Sequence, residues 1–170
     1  MSSQFQINFV ILAGGRGERM KSQIPKPLHI VGSESMLQRV IEAAKEFGPE
    51  KVIVVYGHRR VKEEAGRLGC DTAFQREPLG TADALKSALG KCSENADILV
   101  TCADIPLVPV SVYRRLAEKH AEEGNYMTLL TSRVSRPSGY GRVIEQTGGV
   151  KKIVEEKEAT AAEKKINLIK

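Results

Sequence analysis

The sequence predicts an α/β fold, a Rossmann-like three-layer α/β/α arrangement around a mostly parallel sheet. Residues 8–12, 52–56 and 98–102 form short apolar runs without alternation, which is typical of strands buried on both faces. Stretches with helical spacing lie between these runs, so strands and helices alternate through the first two-thirds of the chain. This alternation favours parallel strands covered by helices.

The first predicted helix has clear signals at both ends. Ser35 and Gln38 form a capping-box pattern at its start, and Gly48 followed by Pro49 ends it. Further helices are predicted at residues 61–68, 81–89 and 110–122, with Thr81 as the cap of the second and Gly90 as its stop. A strand is predicted at residues 127–131, and a hairpin at residues 142–154 around Gly148-Gly149.

Composition limits the class of protein. The chain has 170 residues, a net charge of +5 and 41% apolar residues, which fits one domain over residues 1–170. The longest apolar runs have five residues, whereas a membrane span needs roughly 18, so no membrane partner is expected. The N-terminus carries no export signal, and the three cysteines are an odd number without a C-x-x-C pair. A reducing, cytoplasmic location is therefore expected.

The positive charge does not suggest nucleic acid. Aromatic residues make up only 5% of the chain, and no basic stripe is interleaved with stacking rings. The basic residues concentrate instead near one glycine loop. A small anionic ligand is therefore the better prediction.

That glycine loop follows the first predicted strand. It reads Leu12-Ala13-Gly14-Gly15-Arg16-Gly17-Glu18-Arg19-Met20, with Lys21 and Lys26 shortly after. Glycines let the backbone bring N–H groups close to a phosphate, and the cations supply charge-assisted donors. Met20 stands where the dinucleotide fingerprint needs a third glycine, and the P-loop pattern is also absent. The loop predicts phosphate binding of another kind, the alternative being a flexible turn with solvated charges.

Asp104 follows the third predicted strand. In parallel sheets, ligands bind beyond the carboxyl ends of the strands, so Asp104 and the glycine loop are expected to face one crevice. A carboxylate there suits magnesium, which takes few protein ligands and keeps waters and phosphate oxygens. The alternative for Asp104 is a turn cap before Pro106.

Five segments in order resemble one family. They are residues 12–20 with Pro25-Lys26-Pro27-Leu28, Gln75 with Pro78-Leu79-Gly80-Thr81-Ala82, Asp104-Ile105-Pro106-Leu107, Gly139-Tyr140-Gly141-Arg142, and residues 153–160. Together they resemble the pyrophosphorylase domain of bacterial N-acetylglucosamine-1-phosphate uridylyltransferases, which are sugar nucleotidyltransferases. The resemblance implies transfer of a uridylyl group from UTP to N-acetylglucosamine 1-phosphate, with Mg²⁺ as cofactor.

The same resemblance implies residue roles. Arg19 and Lys26 would be catalytic, and Asp104 would bind the metal. The residues implied for substrate binding are Leu12, Ala13, Gly14, Gly15, Arg16, Gln75, Gly80, Thr81, Gly141 and Glu155. Taken alone, Thr81 also reads as a helix cap, Gln75 as a solvated loop residue and Glu155 as one charge in a mixed tail.

Several positions depart from the family pattern. Glu18 replaces a small neutral residue, Cys102-Ala103 replaces an aromatic-glycine pair, and Lys170 stands where the family has a sugar-binding Asn. The family's second metal ligand lies beyond residue 170, so the chain is expected to be cut short at its C-terminus. It has no hexapeptide repeats, so no acetyl transfer is expected of it. Two alternatives stay open: a cytidylyl-, guanylyl- or thymidylyltransferase with another acceptor, and a non-catalytic nucleotide-binding domain.

Overall fold

The computed structural model describes residues 6–15, 17, 20–77 and 79–170, and the chain divides into two compact units. The first unit is Met1–Ala117 and the second is Glu118–Lys170. The elements that begin in the first unit are β1 (Ile7–Ala13), β2 (Ile30–Val31), β3 (Glu34–Ser35), α1 (Met36–Phe47), β4 (Lys51–Tyr56), α2 (Arg59–Arg67), β5 (Asp71–Phe74), α3 (Thr81–Leu89), β6 (Asp97–Cys102) and α4 (Val110–Glu123). The boundary between the units falls within α4.

Four parallel strands form the central sheet of the first unit. Their order is β5-β4-β1-β6, and both neighbours of β1 run parallel to it. Ala13 of β1 pairs with Tyr56 of β4, and Leu12 pairs with Cys102 of β6. The strands therefore end at a common edge, where the loops that follow them meet. The predicted α/β class with a mostly parallel sheet is confirmed.

Helices cover both faces of this sheet. On one face, Phe9 and Ile11 of β1 pack in a cluster with residues of α1, α2 and α4, while on the other Val10 packs in a cluster with Ala84 and Ala88 of α3. Phe9, Val10 and Ile11 are all fully buried. Burial on both faces explains why the strand is apolar at successive positions rather than at alternate ones.

The ends of the helices follow local chemistry. The hydroxyl of Ser35 accepts from the backbone N–H of Gln38, and Gly48 ends α1 in the left-handed region at φ +81°, as predicted. The prediction that Thr81 caps α3 is wrong. Thr81 is already the first helical residue, and Gly80 holds the N-cap position at φ +121°, which glycine adopts without steric cost. Since glycine has no side chain, α3 begins without a side-chain cap bond.

The second unit contains a small antiparallel sheet. Its strands are β7 (Ser132–Arg133), β8 (Arg142–Gln146), β9 (Gly149–Val154) and β10 (Leu168–Ile169), in the order β7-β10-β8-β9. The predicted hairpin is confirmed as β8 and β9, with a register irregularity between Ile144 and Glu145.

A predicted strand at residues 127–131 is wrong. That segment has no regular structure, and the strand begins only at Ser132, where it pairs with β10. Met127 and Leu130, whose apolar character favoured a strand, are both exposed. No helix in the described ranges has the length and apolar character needed to cross a membrane.

Candidate functional site

A cleft of about 590 Å³ lies in the first unit, where β1 and β6 end. Among the residues that line it are nine of those singled out from the sequence: Leu12, Ala13, Gly14, Gly15, Lys26, Gln75, Gly80, Thr81 and Asp104. The expectation that Asp104 and the glycine loop face one crevice is met. A cleft of this size falls within the range that holds small molecules.

Two glycines after neighbouring strands let the wall of the cleft form. Gly14 follows β1 and Gly57 follows β4, and a Cβ on Gly57 would lie 2.5 Å from the backbone oxygen of Gly14. A Cβ on Gly14 would in turn overlap the Oε1 atom of Gln75. The glycine loop thus has backbone packed on one side and an amide side chain on the other, with no room for a methyl group at either glycine.

Gln75 is fixed in this wall. Its side chain is 6% exposed, and its backbone N–H donates to the Tyr56 carbonyl oxygen at 2.9 Å. Its Nε2 donates to Asp83 Oδ2 at 3.0 Å and to the Gly80 carbonyl oxygen at 3.4 Å. The interpretation of Gln75 as a solvated loop residue is therefore excluded.

Lys26 and Asp104 meet at the cleft. Lys26 Nζ donates to Asp104 Oδ2 at 2.6 Å, and each side chain is a little over one-third exposed. Lys26 begins a short 3₁₀ turn after Pro25, and Asp104 follows β6. A cation and an anion 78 positions apart in sequence thus share one side of the cleft. Because both are solvent-accessible, their attraction contributes little to stability and both remain available to a ligand.

Arg16, Glu18, Arg19 and Pro78 lie outside the described residues, so the roles predicted for Arg16 and Arg19 stay predictions. Gly141 and Glu155 lie in the second unit, where Lys170 contacts both. Lys170 Nζ donates to Glu155 Oε1, and the Lys170 backbone N–H donates to the Gly141 carbonyl oxygen at 3.3 Å. The two residues that resemblance assigned to a sugar thus lie together, with a lysine beside them.

Sequence reasoning missed two residues that contact the cleft wall, Gly57 beside Gly14 and Asp83 beside Gln75. Neither Gly57 nor Asp83 belongs to a motif that could have singled it out. Cys70 and Cys92 are half-buried, where burial raises the pKa of each thiol, but Cys102 is exposed and lines the cleft.

Comparison with known proteins identifies the family. Residues 9–161 match the family model described as the MobA-like NTP transferase domain. The chain belongs to this family. This NTP transferase domain is therefore a nucleotidyltransferase, which agrees with the resemblance seen in the sequence motifs.

The curated relatives of this NTP transferase domain include bacterial bifunctional proteins named GlmU. It is 39% identical over 163 residues to the bifunctional protein GlmU of Buchnera aphidicola subsp. Schizaphis graminum, covering 95% of this chain and 35% of that protein. It is 43% identical over 162 residues to the GlmU of Caldanaerobacter subterraneus subsp. tengcongensis, covering 94% and 35%. The chain thus spans about a third of the length of these relatives.

Solved structures agree on the fold. A UDP-glucose pyrophosphorylase complexed with UDP-glucose matches with a TM-score of 0.73 at 19% identity, over 95% of this chain and 72% of that one. A CMP:2-keto-3-deoxy-manno-octonic acid synthetase complexed with CTP matches with a TM-score of 0.68 at 21% identity, over 96% and 70%. At these identities the likeness supports the shared α/β architecture of the NTP transferase domain.

Proposed function

We propose that residues 1–170 act as one nucleotidyltransferase domain that transfers a uridylyl group from UTP to N-acetylglucosamine 1-phosphate, releasing pyrophosphate. The observation that carries the proposal is the contact between Lys26 and Asp104 at a cleft walled by the glycine loop. The GlmU relatives, 39–43% identical, support this choice of nucleotide and sugar. A cytoplasmic location belongs to the same proposal.

Charge and position explain the proposed reaction. The sugar phosphate attacks the α-phosphorus of the triphosphate, so two anions must meet while negative charge builds on the leaving pyrophosphate. Catalysis then rests on orientation and electrostatic stabilisation, without a covalent intermediate. Lys26 would place its ammonium group on the reacting phosphates, and Arg16 and Arg19 would hold the triphosphate with their forked guanidinium groups.

Asp104 fits a divalent metal by its chemistry. Its carboxylate lies in the cleft and keeps contact with solvent, although no cluster of three or more His, Cys, Asp or Glu suited to a metal occurs in the described ranges. One carboxylate suffices for half of a Mg²⁺ site, because this ion takes few protein ligands and keeps waters and phosphate oxygens. When bound, Mg²⁺ would neutralise phosphate charge. Lys26 would then exchange its contact with Asp104 for one with phosphate oxygens.

The part of the cleft wall formed by Gln75, Gly80 and the glycine loop would hold the base. Gln75 and Gly80 lie where the first turn of α3 meets the glycine loop, and the backbone at residues 12–14 lines the same cleft. An amide side chain can pair with the edge of a pyrimidine, and a glycine loop admits close approach of the ligand. In this proposal Thr81 contacts the nucleotide from the first position of α3.

Lys170 bears on the choice of sugar. If Glu155 accepts from a hydroxyl of the acceptor, its ion pair with Lys170 competes with that bond. Replacing Lys170 by Asn, the family residue, is expected to free Glu155 and lower KM for N-acetylglucosamine 1-phosphate by about threefold to tenfold, the equivalent of one net hydrogen bond. KM for UTP should not change. A Lys170→Asn variant with unchanged or raised acceptor KM would instead favour a different phosphorylated acceptor, for which Lys170 is a ligand.

Pyrophosphate release tests the proposed function. The chain is supplied with Mg²⁺, each of UTP, CTP, GTP and dTTP, and several sugar 1-phosphates. Turnover is expected with UTP and N-acetylglucosamine 1-phosphate. Turnover with another pair would support the related transferases, and UTP binding without turnover would support a nucleotide-binding domain.

An Asp104→Asn variant should need a much higher Mg²⁺ concentration for half-maximal turnover, because the proposed metal ligand loses its charge. An unchanged Mg²⁺ dependence would contradict the metal role.

A further inference from the structure

The Gln75 amide lies against two acceptors. Its Nε2 is 3.0 Å from Asp83 Oδ2 and 3.4 Å from the Gly80 carbonyl oxygen. An ionised carboxylate and a peptide carbonyl both accept hydrogen bonds and cannot donate them. Only the NH₂ end of the Gln75 amide can donate to both of them, so these neighbours decide which way the amide lies. The orientation of the amide is therefore set by chemistry.

This orientation leaves the oxygen for a ligand. Both hydrogens of Nε2 point to protein acceptors, and Oε1 lies against Gly14 in the wall of the cleft. A base at this wall meets a hydrogen-bond acceptor. Uracil carries a donor at its ring N3–H, whereas the ring N3 of cytosine has no hydrogen and is itself an acceptor. An acceptor placed opposite this position favours uracil and repels cytosine.

We propose that Asp83 is a positioning residue that makes the site select uridine over cytidine nucleotides, by holding the Gln75 amide with its oxygen toward the base. This inference rests on the proposed function, because it assigns Gln75 to the base of the nucleoside triphosphate. Asp83 lies in the first turn of α3 and acts through Gln75. Its carboxylate is needed as an acceptor, so its amide counterpart cannot replace it.

An Asp83→Asn variant tests whether the Asp83 carboxylate sets the orientation of the Gln75 amide. The Asn side chain carries an NH₂ donor as well as an oxygen, so it pairs equally well with either end of the Gln75 amide. Only the Gly80 carbonyl oxygen, 3.4 Å from Nε2, then still favours the original orientation, so the Gln75 amide populates both orientations. The turned-over amide presents its NH₂ group, which suits the N3 acceptor of cytosine. We expect the ratio of the UTP and CTP dissociation constants, measured by calorimetry with Mg²⁺, to shift toward CTP by about threefold to tenfold, the equivalent of one net hydrogen bond.

Two comparisons distinguish an effect on the orientation of the Gln75 amide from an effect of the Asp83 charge. Asp83 lies near a helix N-terminus, so removing its charge could tighten binding of every triphosphate alike without altering the ratio. Asp71→Asn makes the same charge change at an exposed residue of β5 and should leave the ratio unchanged. In a Gln75→Ala background, Asp83→Asn should have no further effect on the ratio, because the group it positions is gone. If Asp83→Asn does not fold, Asp83→Ala takes its place in the experiment, because it also removes the acceptor that holds the Gln75 amide.

Each outcome decides a separate point. A shift toward CTP that vanishes in the Gln75→Ala background supports the role of Asp83. An unchanged ratio, or an equal gain in affinity for both nucleotides, overturns it while leaving the proposed function intact. A wild-type protein that binds UTP no better than CTP contradicts the proposed choice of nucleotide and, with it, the role of Asp83.

Discussion

Replacing Lys26 by Ala is expected to lower kcat for pyrophosphate release by about 10²–10³-fold, the usual cost of removing one preorganised group that stabilises charge in the transition state. Lys26 Nζ contacts Asp104 Oδ2 at 2.6 Å within the cleft. Its ammonium group therefore already lies where phosphates would arrive. KM for UTP should rise much less than kcat falls, because Lys26 acts mainly on charge that develops during the reaction.

The control for Lys26→Ala is Lys86→Ala. Lys86 is an exposed lysine of α3 that does not line the cleft, so its removal should leave kcat within about twofold of the wild-type value. Unfolding by urea should show little loss of stability in either variant, since the contact between Lys26 and Asp104 is solvent-exposed. A Lys26→Ala variant that retains full turnover would remove this residue from the catalytic machinery.

Replacing Gly57 by Ala is expected to lower the free energy of unfolding by about 1–3 kcal/mol, as insertions into close-packed sites do. The added Cβ would lie 2.5 Å from the Gly14 carbonyl oxygen, which is closer than van der Waals contact allows. Backbone, unlike the end of a side chain, cannot turn aside. The glycine loop must therefore shift, and affinity for UTP should fall together with stability.

Gly66→Ala provides the matched comparison for Gly57→Ala. Gly66 lies within α2, and a Cβ there would meet nothing within 4 Å. The same chemical change should stabilise the protein by about 0.5–1 kcal/mol, because alanine loses less conformational entropy than glycine in a helix. Urea unfolding of both variants tests the point. Equal stability of Gly57→Ala and the wild type would show that the loop accommodates the methyl group.

The sequence predicted the strands β1, β4 and β6 and the helix α1 because each carries a local signal. Continuous apolar runs mark strands buried on both faces, and Ser35 and Gly48 mark helix ends. The edge strand β5 (Asp71–Phe74) lacked such a signal, since only Ala73 within it is buried. An edge strand makes its contacts with one neighbour, here β4, and this pairing is not visible in four residues of sequence.

The residues of the candidate site also differ in whether the sequence alone could point to them. Lys26 and Asp104 could be singled out because each lies in a motif after a predicted strand, and parallel topology brings such positions together. Gly57 and Asp83 could not, because their importance comes from contacts with Gly14 and Gln75 that only the folded chain creates. Glu155 could be singled out by resemblance, but its ion pair with Lys170 joins residues 15 positions apart, across a turn and a short strand that were not predicted.

The residues proposed for the donor nucleotide and those proposed for the acceptor belong to different compact units. The residues of the cleft lie before residue 118, whereas Gly141 and Glu155 lie after it. Under these proposed assignments, mutations after residue 118 would alter which phosphorylated compound is accepted while the donor nucleotide stays the same. During evolution, such a division lets a lineage acquire new products through changes in about 50 residues, while the residues that bind the donor nucleotide stay the same.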